Sequence, residues 1–332
     1  MTSPKDWSNR LIIIFGILLF ILPFLMDSRS LLIMLAKIFI LAIFAMSYDI
    51  LLGYTGIVSF GHAMFFGIGA YTTGIFMHRI EPTLFWFIAS LLVGIILSSM
   101  ISLVVGLLTL RLKSTYFAML TLALANLFLV VAEKWRSLTM GNDGFTFRIP
   151  PFLQDRTNFY LLCLVLMLAV YFLLKHVTRS PVGSVLVAIR ENEQRVESLG
   201  YNPLYYKVVA TVLSGTIATI SGALYGVSLR FVNTSVFALD TTLDALLMTI
   251  VGGVGTLVGP IIGAAFLEIA HQWLTSLADV HPIFERWIIF FGTVYILVVL
   301  FFPRGIVGFF REKVVFRKKK QAVTETQRKM VS

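Results

Sequence analysis

The sequence predicts an all-α, polytopic membrane protein, and three features carry that prediction. Of the 332 residues, 58% are hydrophobic and only 13% are charged, against about 25% charged in an ordinary soluble domain. Mean hydropathy is +0.89, so there is too little polar surface to cover a water-facing globule. The apolar residues also fall in solid runs of helical-span length, which excludes a transmembrane barrel, whose strands alternate apolar and polar.

A span needs about 20 apolar residues. Ten stretches approach that length: 11–26, 30–51, 57–77, 83–109, 115–132, 158–174, 208–229, 242–256, 260–277 and 287–302. The first follows Lys5 and Arg10, as a signal peptide would. The next residues, Asp27-Ser28-Arg29, offer no small-x-small cleavage site, so 11–26 reads as an uncleaved span. Stretches 11–26 and 242–256 are short, and need flanking residues or a re-entrant course buried in protein. The expectation is about ten transmembrane or re-entrant helices.

Charge sets the orientation. With the N-terminus in the cytoplasm and ten alternating spans, 18 Lys and Arg fall inside, 8 outside, and Lys37 within a span. Nine of the inner ones lie between Arg304 and Lys329. The bias follows the positive-inside rule and puts both termini in the cytoplasm. The net charge of +10 therefore reads as topology; the tail reads first as a solvated segment obeying the positive-inside rule, with contact to anionic membrane lipid as the alternative. The charge does not read as nucleic-acid affinity. The domains are a transmembrane body over 1–310 and a basic cytoplasmic tail over 311–332.

The longest charged segment between apolar blocks is 179–207, RSPVGSVLVAIRENEQRVESLGYNPLYYK. Its punctuation is that of a helix. Ser180 stands as N-cap, Pro181 at the first helical position, Gly200 at the end, and Pro203 beyond it. Val182, Val185, Leu186, Ile189, Val196 and Leu199 fall on one side at helical spacing. Arg190, Glu191, Glu193, Arg195 and Glu197 crowd the other. A polar face of mixed sign suits docking onto a protein better than lying on anionic lipid.

Glycine recurs at 53, 56, 61, 67, 69 and 74, and again at 252, 253, 255, 259 and 263. Each glycine weakens a helix by up to about 1 kcal/mol relative to alanine. Close helix packing offsets that cost, and so does a broken helix beside a solute pathway. One cluster on each side of the central segment points to two pseudo-related halves. Within or beside the first cluster, Ser59 and His62 are candidates to line a route. So is Asn126, whose bland alternative is a hydrogen bond to a neighbouring helix.

Lys37, Asp49, Asp244 and Glu268 are charges within or beside spans. Each costs about 2.5–3.5 kcal/mol at mid-bilayer. Asp49 and Asp244 read as interfacial residues. Glu268, mid-span, needs a partner such as Lys37 or a histidine, or serves as a proton relay. Cys163 stands alone, so no intrachain disulfide forms. The sequence has no GxxxxGK[ST], no HExxH and no GxSxG. No catalytic residue, metal ligand or bound cofactor is expected.

The ordered motifs GYTGIVSFGHAMFFGIGAYTTG, TYFAMLTLALA, GNDGF, SPVGSVLVAIRENEQRVESLGYNPLYYK and IVGGVGTLVGPIIGA, over about 30–305, resemble the LivM-type inner-membrane permease subunits of ABC importers for branched-chain amino acids. The resemblance implies a LivH-type paralogous permease subunit and two ATP-binding subunits that hydrolyse ATP. It also implies a periplasmic or lipid-anchored solute-binding protein, in a bacterial or archaeal plasma membrane. It assigns ATPase coupling to Arg190, Glu191, Asn192, Glu193, Arg195, Glu197 and Gly200.

Three other readings stay open. The same architecture serves for urea or short amides. A self-sufficient proton-coupled carrier would use Glu268 or His62 as relay. A scaffold subunit would have no path through it.

Overall fold

The computed structural model describes residues 16–23, 28–109, 114–278 and 305–308, with isolated positions between 292 and 300. Its organising element is α1 (Arg29–Asp49), buried at nearly every position from Ala36 onward. A helix apolar all round belongs at the centre of a bundle. Accordingly α1 packs against α7 (Arg156–Arg179), α10 (Pro203–Leu229), α11 (Leu239–Gly252) and α12 (Val258–Ala278).

At its end α1 winds into a π-helical turn, Ile50–Thr55, closed by Gly56 at φ 71°. That left-handed conformation favours glycine. The chain then runs unwound to Gly61, and α2 (His62–Arg79) begins. Bare backbone at membrane depth is tolerated only where neighbours satisfy it. Phe60 N–H donates to Thr121 Oγ1 at 3.2 Å, and Ala63 N–H donates to Thr242 Oγ1 at 2.9 Å.

The glycines of α2 are packing surfaces. A Cβ on Gly69 would run into the Thr219 carbonyl, and one on Gly222 into the Phe66 carbonyl. The backbones of α2 and α10 therefore approach as small residues allow. The second cluster joins α11 to α12 in the same way. A Cβ on Gly252 would strike the Gly259 carbonyl, and one on Gly263 that of Met248. α3 (Leu84–Thr109) and α4 (Ser114–Lys134) flank this core. They leave Leu92, Ile96, Met100, Met119 and Leu127 exposed, as lipid-facing surfaces do.

Contacts define two ends. At one, β1 (Phe145–Thr146) pairs antiparallel with β2 (Phe231–Val232). There His78 Nδ1 lies 3.1 Å from Thr146 O, and Leu32, Arg156 and Arg230 share a cleft. Short helices α5 (Arg136–Thr139) and α6 (Pro151–Gln154) belong to this end. At the other end meet Gly53, Arg190 and Gly255. α1, α2, α7 and α10 thus run alternately between the ends.

Among the described residues, five helices are long and apolar enough to cross a membrane: Arg29–Thr55, Leu84–Leu108, Thr115–Lys134, Arg156–Arg179 and Pro203–Leu229. Three of the expected spans that lie within the described residues are not among these five: 57–77, 242–256 and 260–277. The 57–77 stretch becomes helical only at His62. The 242–256 stretch is the 14-residue α11, about 21 Å long, too short for a hydrocarbon core of about 30 Å. The expected span 287–302 and the tail 311–332 lie outside the described residues, apart from isolated positions, and 11–26 is described only over 16–23.

Candidate functional site

The central charged segment forms two helices, α8 (Pro181–Glu191) and α9 (Glu193–Ser198), where the spacing predicts one. The break is Asn192. Its backbone is extended, and its Oδ1 accepts from Arg195 N–H at 3.0 Å, capping α9. Asparagine competes with the helix interior for this kind of local bond. Ser180 holds the N-cap position, but its hydroxyl donates back to Val177 O at 2.7 Å. Gly200, at φ 87°, follows α9 as expected.

Leu186, Ile189 and Val196 are buried beneath this pair of helices, whereas Leu199 is 71% exposed, turned out by the break. Glu191, Asn192, Glu193, Arg195, Glu197 and Gly200 are exposed. Glu193 Oε1 also accepts from Lys207 Nζ at 2.6 Å, tying α9 to α10.

Arg190 is exposed as well, but its guanidinium reaches back to the end of α1. Its Nη1 donates to the carbonyl of Gly53 in the π-helical turn, and its stem lies over Gly56. Beside it, the loop between α11 and α12 carries Gly253 at φ 125°, Gly255 at φ 76° and Leu257 at φ 54°. The last is a left-handed conformation that a leucine rarely adopts. Asp49 holds this loop in place. It is fully buried, and its carboxylate accepts from Gly255 N–H at 2.6 Å and Leu257 N–H at 3.3 Å. One junction therefore joins α8, the end of α1 and the α11–α12 loop.

A second site lies deeper. Lys37 Nζ and Glu268 Oε1 pair at 2.8 Å between α1 and α12. They open on a cavity of about 560 Å³, which also receives Tyr225, Asp240, Asp244 and His271. Among the described residues, no group of three or more His, Cys, Asp or Glu is placed to hold a metal.

The sequence family described as "Branched-chain amino acid transport system / permease component" matches residues 30–300. The chain belongs to this permease family. It is 26% identical over 154 residues to the "High-affinity branched-chain amino acid transport system permease protein LivM" of Salmonella typhimurium, covering 46% of this chain and 35% of that one. Over 147 residues it is 24% identical to the "Probable branched-chain amino acid transport permease protein LivM" of Methanocaldococcus jannaschii, covering 42% and 43%. Over 148 residues it is 27% identical to the "High-affinity branched-chain amino acid transport system permease protein BraD" of Pseudomonas aeruginosa, covering 45% and 47%. The chain thus spans between a third and a half of the length of these curated relatives. No solved structure matches it. The chain is a multi-pass membrane protein and a transmembrane permease component.

The permease distributes the four expected path residues unevenly. Ser59 and His62 are buried in the core. His62 Nε2 lies 2.8 Å from Ser47 Oγ, and its ring stacks on Phe44. Asn126 sits on the exposed side of α4. Glu268 lines the cavity. Asp49, read as interfacial, is instead a buried acceptor. Its donors lie more than 200 positions further along the chain, a distance no local pattern reveals. Arg190 is exposed like Glu191 and Glu193, but its guanidinium bonds the carbonyl of Gly53, a partner that no local pattern shows.

Proposed function

We propose that this permease is one transmembrane subunit of an ABC importer that moves branched-chain amino acids inward by alternating access. It works with a LivH-type paralogous subunit, two ATP-binding subunits, and a periplasmic or lipid-anchored solute-binding protein. The whole chain makes about ten transmembrane or re-entrant passes in two related halves, with both termini in the cytoplasm. Residues 1–310 form the permease domain and 311–332 a basic tail.

The observation that carries this reading is the two-faced α8–α9 pair. Its outer face offers Glu191, Asn192, Glu193, Arg195 and Glu197 in mixed charge, the chemistry of a protein contact. Its inner face is locked down by Leu186, Ile189, Val196 and the Arg190–Gly53 bond. A push on such an element moves the π-helical turn and the α11–α12 loop together. Those are the two places where spans are broken, and transporters bend at such segments. Gly200 frees the exit from α9. Ser59 and His62 frame the unwound start of α2, where rocking exposes them to the route. Asn126 faces the paralogous subunit, which covers a polar group that lipid would not tolerate.

The test uses the importer reconstituted with its partner subunits. Arg195→Glu combined with Glu197→Lys alters two exposed positions and leaves the Glu193–Lys207 tie intact. ATP-driven leucine uptake is expected to fall at least tenfold while the subunits still insert and ATP hydrolysis continues. Uptake at the wild-type rate would mean that the docking surface lies elsewhere.

A further inference from the structure

In the topology proposed above, the Lys37–Glu268 pair lies near mid-membrane. At 1.5 Å per residue, Lys37 is about 12 Å from the outer start of α1 and Glu268 about 15 Å from the inner start of α12. Together these nearly fill a core of about 30 Å. Asp240 and Asp244 join them from the first turns of α11. This short helix follows the break made by β2 and a 3-10 turn, Thr234–Phe237. Both aspartates are exposed to the cavity side, and Asp244 interacts electrostatically with Asp240, Lys37 and Glu268. Carboxylates at that depth do not face lipid, so this cavity holds water or a polar ligand.

The ligand's chemistry follows from the lining. A lysine ammonium has three donors, and Glu268 engages Lys37 by one contact. The lysine side chain remains 32% exposed, leaving donors for an incoming carboxylate. Asp240 and Asp244 supply acceptors for an incoming ammonium. Leu41, Phe44, Phe66 and Leu247 line the same cavity, an apolar wall for an aliphatic side chain. A volume of about 560 Å³ falls in the usual range for small-molecule sites, about 300–1,000 Å³. Sites at mid-membrane built on interrupted helices are where transporters hold their solutes.

We infer that this cavity is a binding site for a zwitterionic aliphatic amino acid, with Lys37 taking the carboxylate and Asp240 and Asp244 the ammonium. The inference rests on the importer reading above and adds the residues that hold the solute within this subunit. Ser59 and His62, sealed behind the wall formed by Phe44, take no part in it.

The first arm of the test is Asp244→Asn in the reconstituted importer. This change removes a charge from membrane depth, so it does not threaten insertion. Leucine uptake at low concentration is expected to fall at least tenfold, with ATP hydrolysis retained. In the second arm Leu247→Cys is labelled with a small water-soluble thiol reagent; the native Cys163 is buried and gives little background. Leucine should slow labelling at least fivefold. 3-Methylbutylamine and 4-methylpentanoate, each lacking one charged group, should not. Unchanged uptake by Asp244→Asn, or labelling that leucine does not slow, overturns the site while leaving the importer reading intact. A wild-type complex that carries no leucine overturns both.

Discussion

Among the described residues, two Lys–Glu pairs have nearly equal length and very different surroundings. Lys37–Glu268, at 2.8 Å, joins α1 to α12, near mid-membrane in the proposed topology, with side chains 32% and 11% exposed. Lys207–Glu193, at 2.6 Å, ties a docking helix to α10, and its glutamate is 50% exposed. The contact distance does not rank them; the cost of the alternative does. An unpaired charge at mid-bilayer costs about 2.5–3.5 kcal/mol on insertion scales, whereas an ion pair reaching water is worth about 0–1 kcal/mol. The inner pair is a requirement of the fold, and the outer one an adjustment of the docking surface.

The largest expected effect breaks the inner pair on one side only. Glu268→Leu leaves Lys37 without its partner and should lower the unfolding free energy in detergent by about 3 kcal/mol. Adding Lys37→Met removes the stranded charge and should restore stability to within about 1 kcal/mol of wild type, because an apolar replacement of a buried pair is often neutral. The double variant should be stable and yet take up little leucine, since the cavity has lost its cation. If single and double variants are equally destabilised, the pair is not what holds these charges in the membrane.

Asp49 sharpens the contrast, because it is a buried carboxylate held by backbone amides. Asp49→Asn keeps the shape but turns an N–H donor toward one of the two amides. A buried amide left unsatisfied costs about 1–3 kcal/mol. The local consequence is the clearer measurement: hydrogen exchange at Gly255 and Leu257 should accelerate, while the α2–α10 core stays protected. Unchanged exchange at those amides would show that the strained loop, with Leu257 at φ 54°, is held by something other than Asp49.

These residues also mark how far the sequence could be read. Apolar runs locate helices because burial in lipid leaves few alternatives, so α1, α3, α4, α7 and α10 were legible. Glu268 was legible as a residue in need of a partner, because its cost at depth is large, and Lys37 was among the partners named. The two glycine clusters were visible, but which helix each packs against was not. That choice depends on reciprocal backbone approaches such as Gly69 to Thr219 and Gly222 to Phe66, which leave no trace in local periodicity. Asn192 carried a usable signal, since asparagine favours caps over helix interiors. The continuous apolar spacing on either side of it hid the break. Asp240 and Asp244 acquire meaning only when α1 and α12 bring Lys37 and Glu268 to them.

The smallest effect tests the outer pair. A double-mutant cycle with Glu193→Gln and Lys207→Met should give a coupling of about 0–1 kcal/mol. Half of the glutamate side chain is in water, so ions should screen this coupling. The Debye length falls from about 10 Å at 0.1 M salt to about 3 Å at 1 M, and the coupling should shrink over that range. The same cycle at Lys37 and Glu268 should change less with salt, because Glu268 is only 11% exposed. A large, salt-insensitive coupling at Glu193 would mean that this carboxylate is shielded from water. The mixed-charge face of α9 would then not be free to receive an ATP-binding subunit. A small, screened coupling leaves Glu193 free to exchange its lysine for a partner's cation on docking.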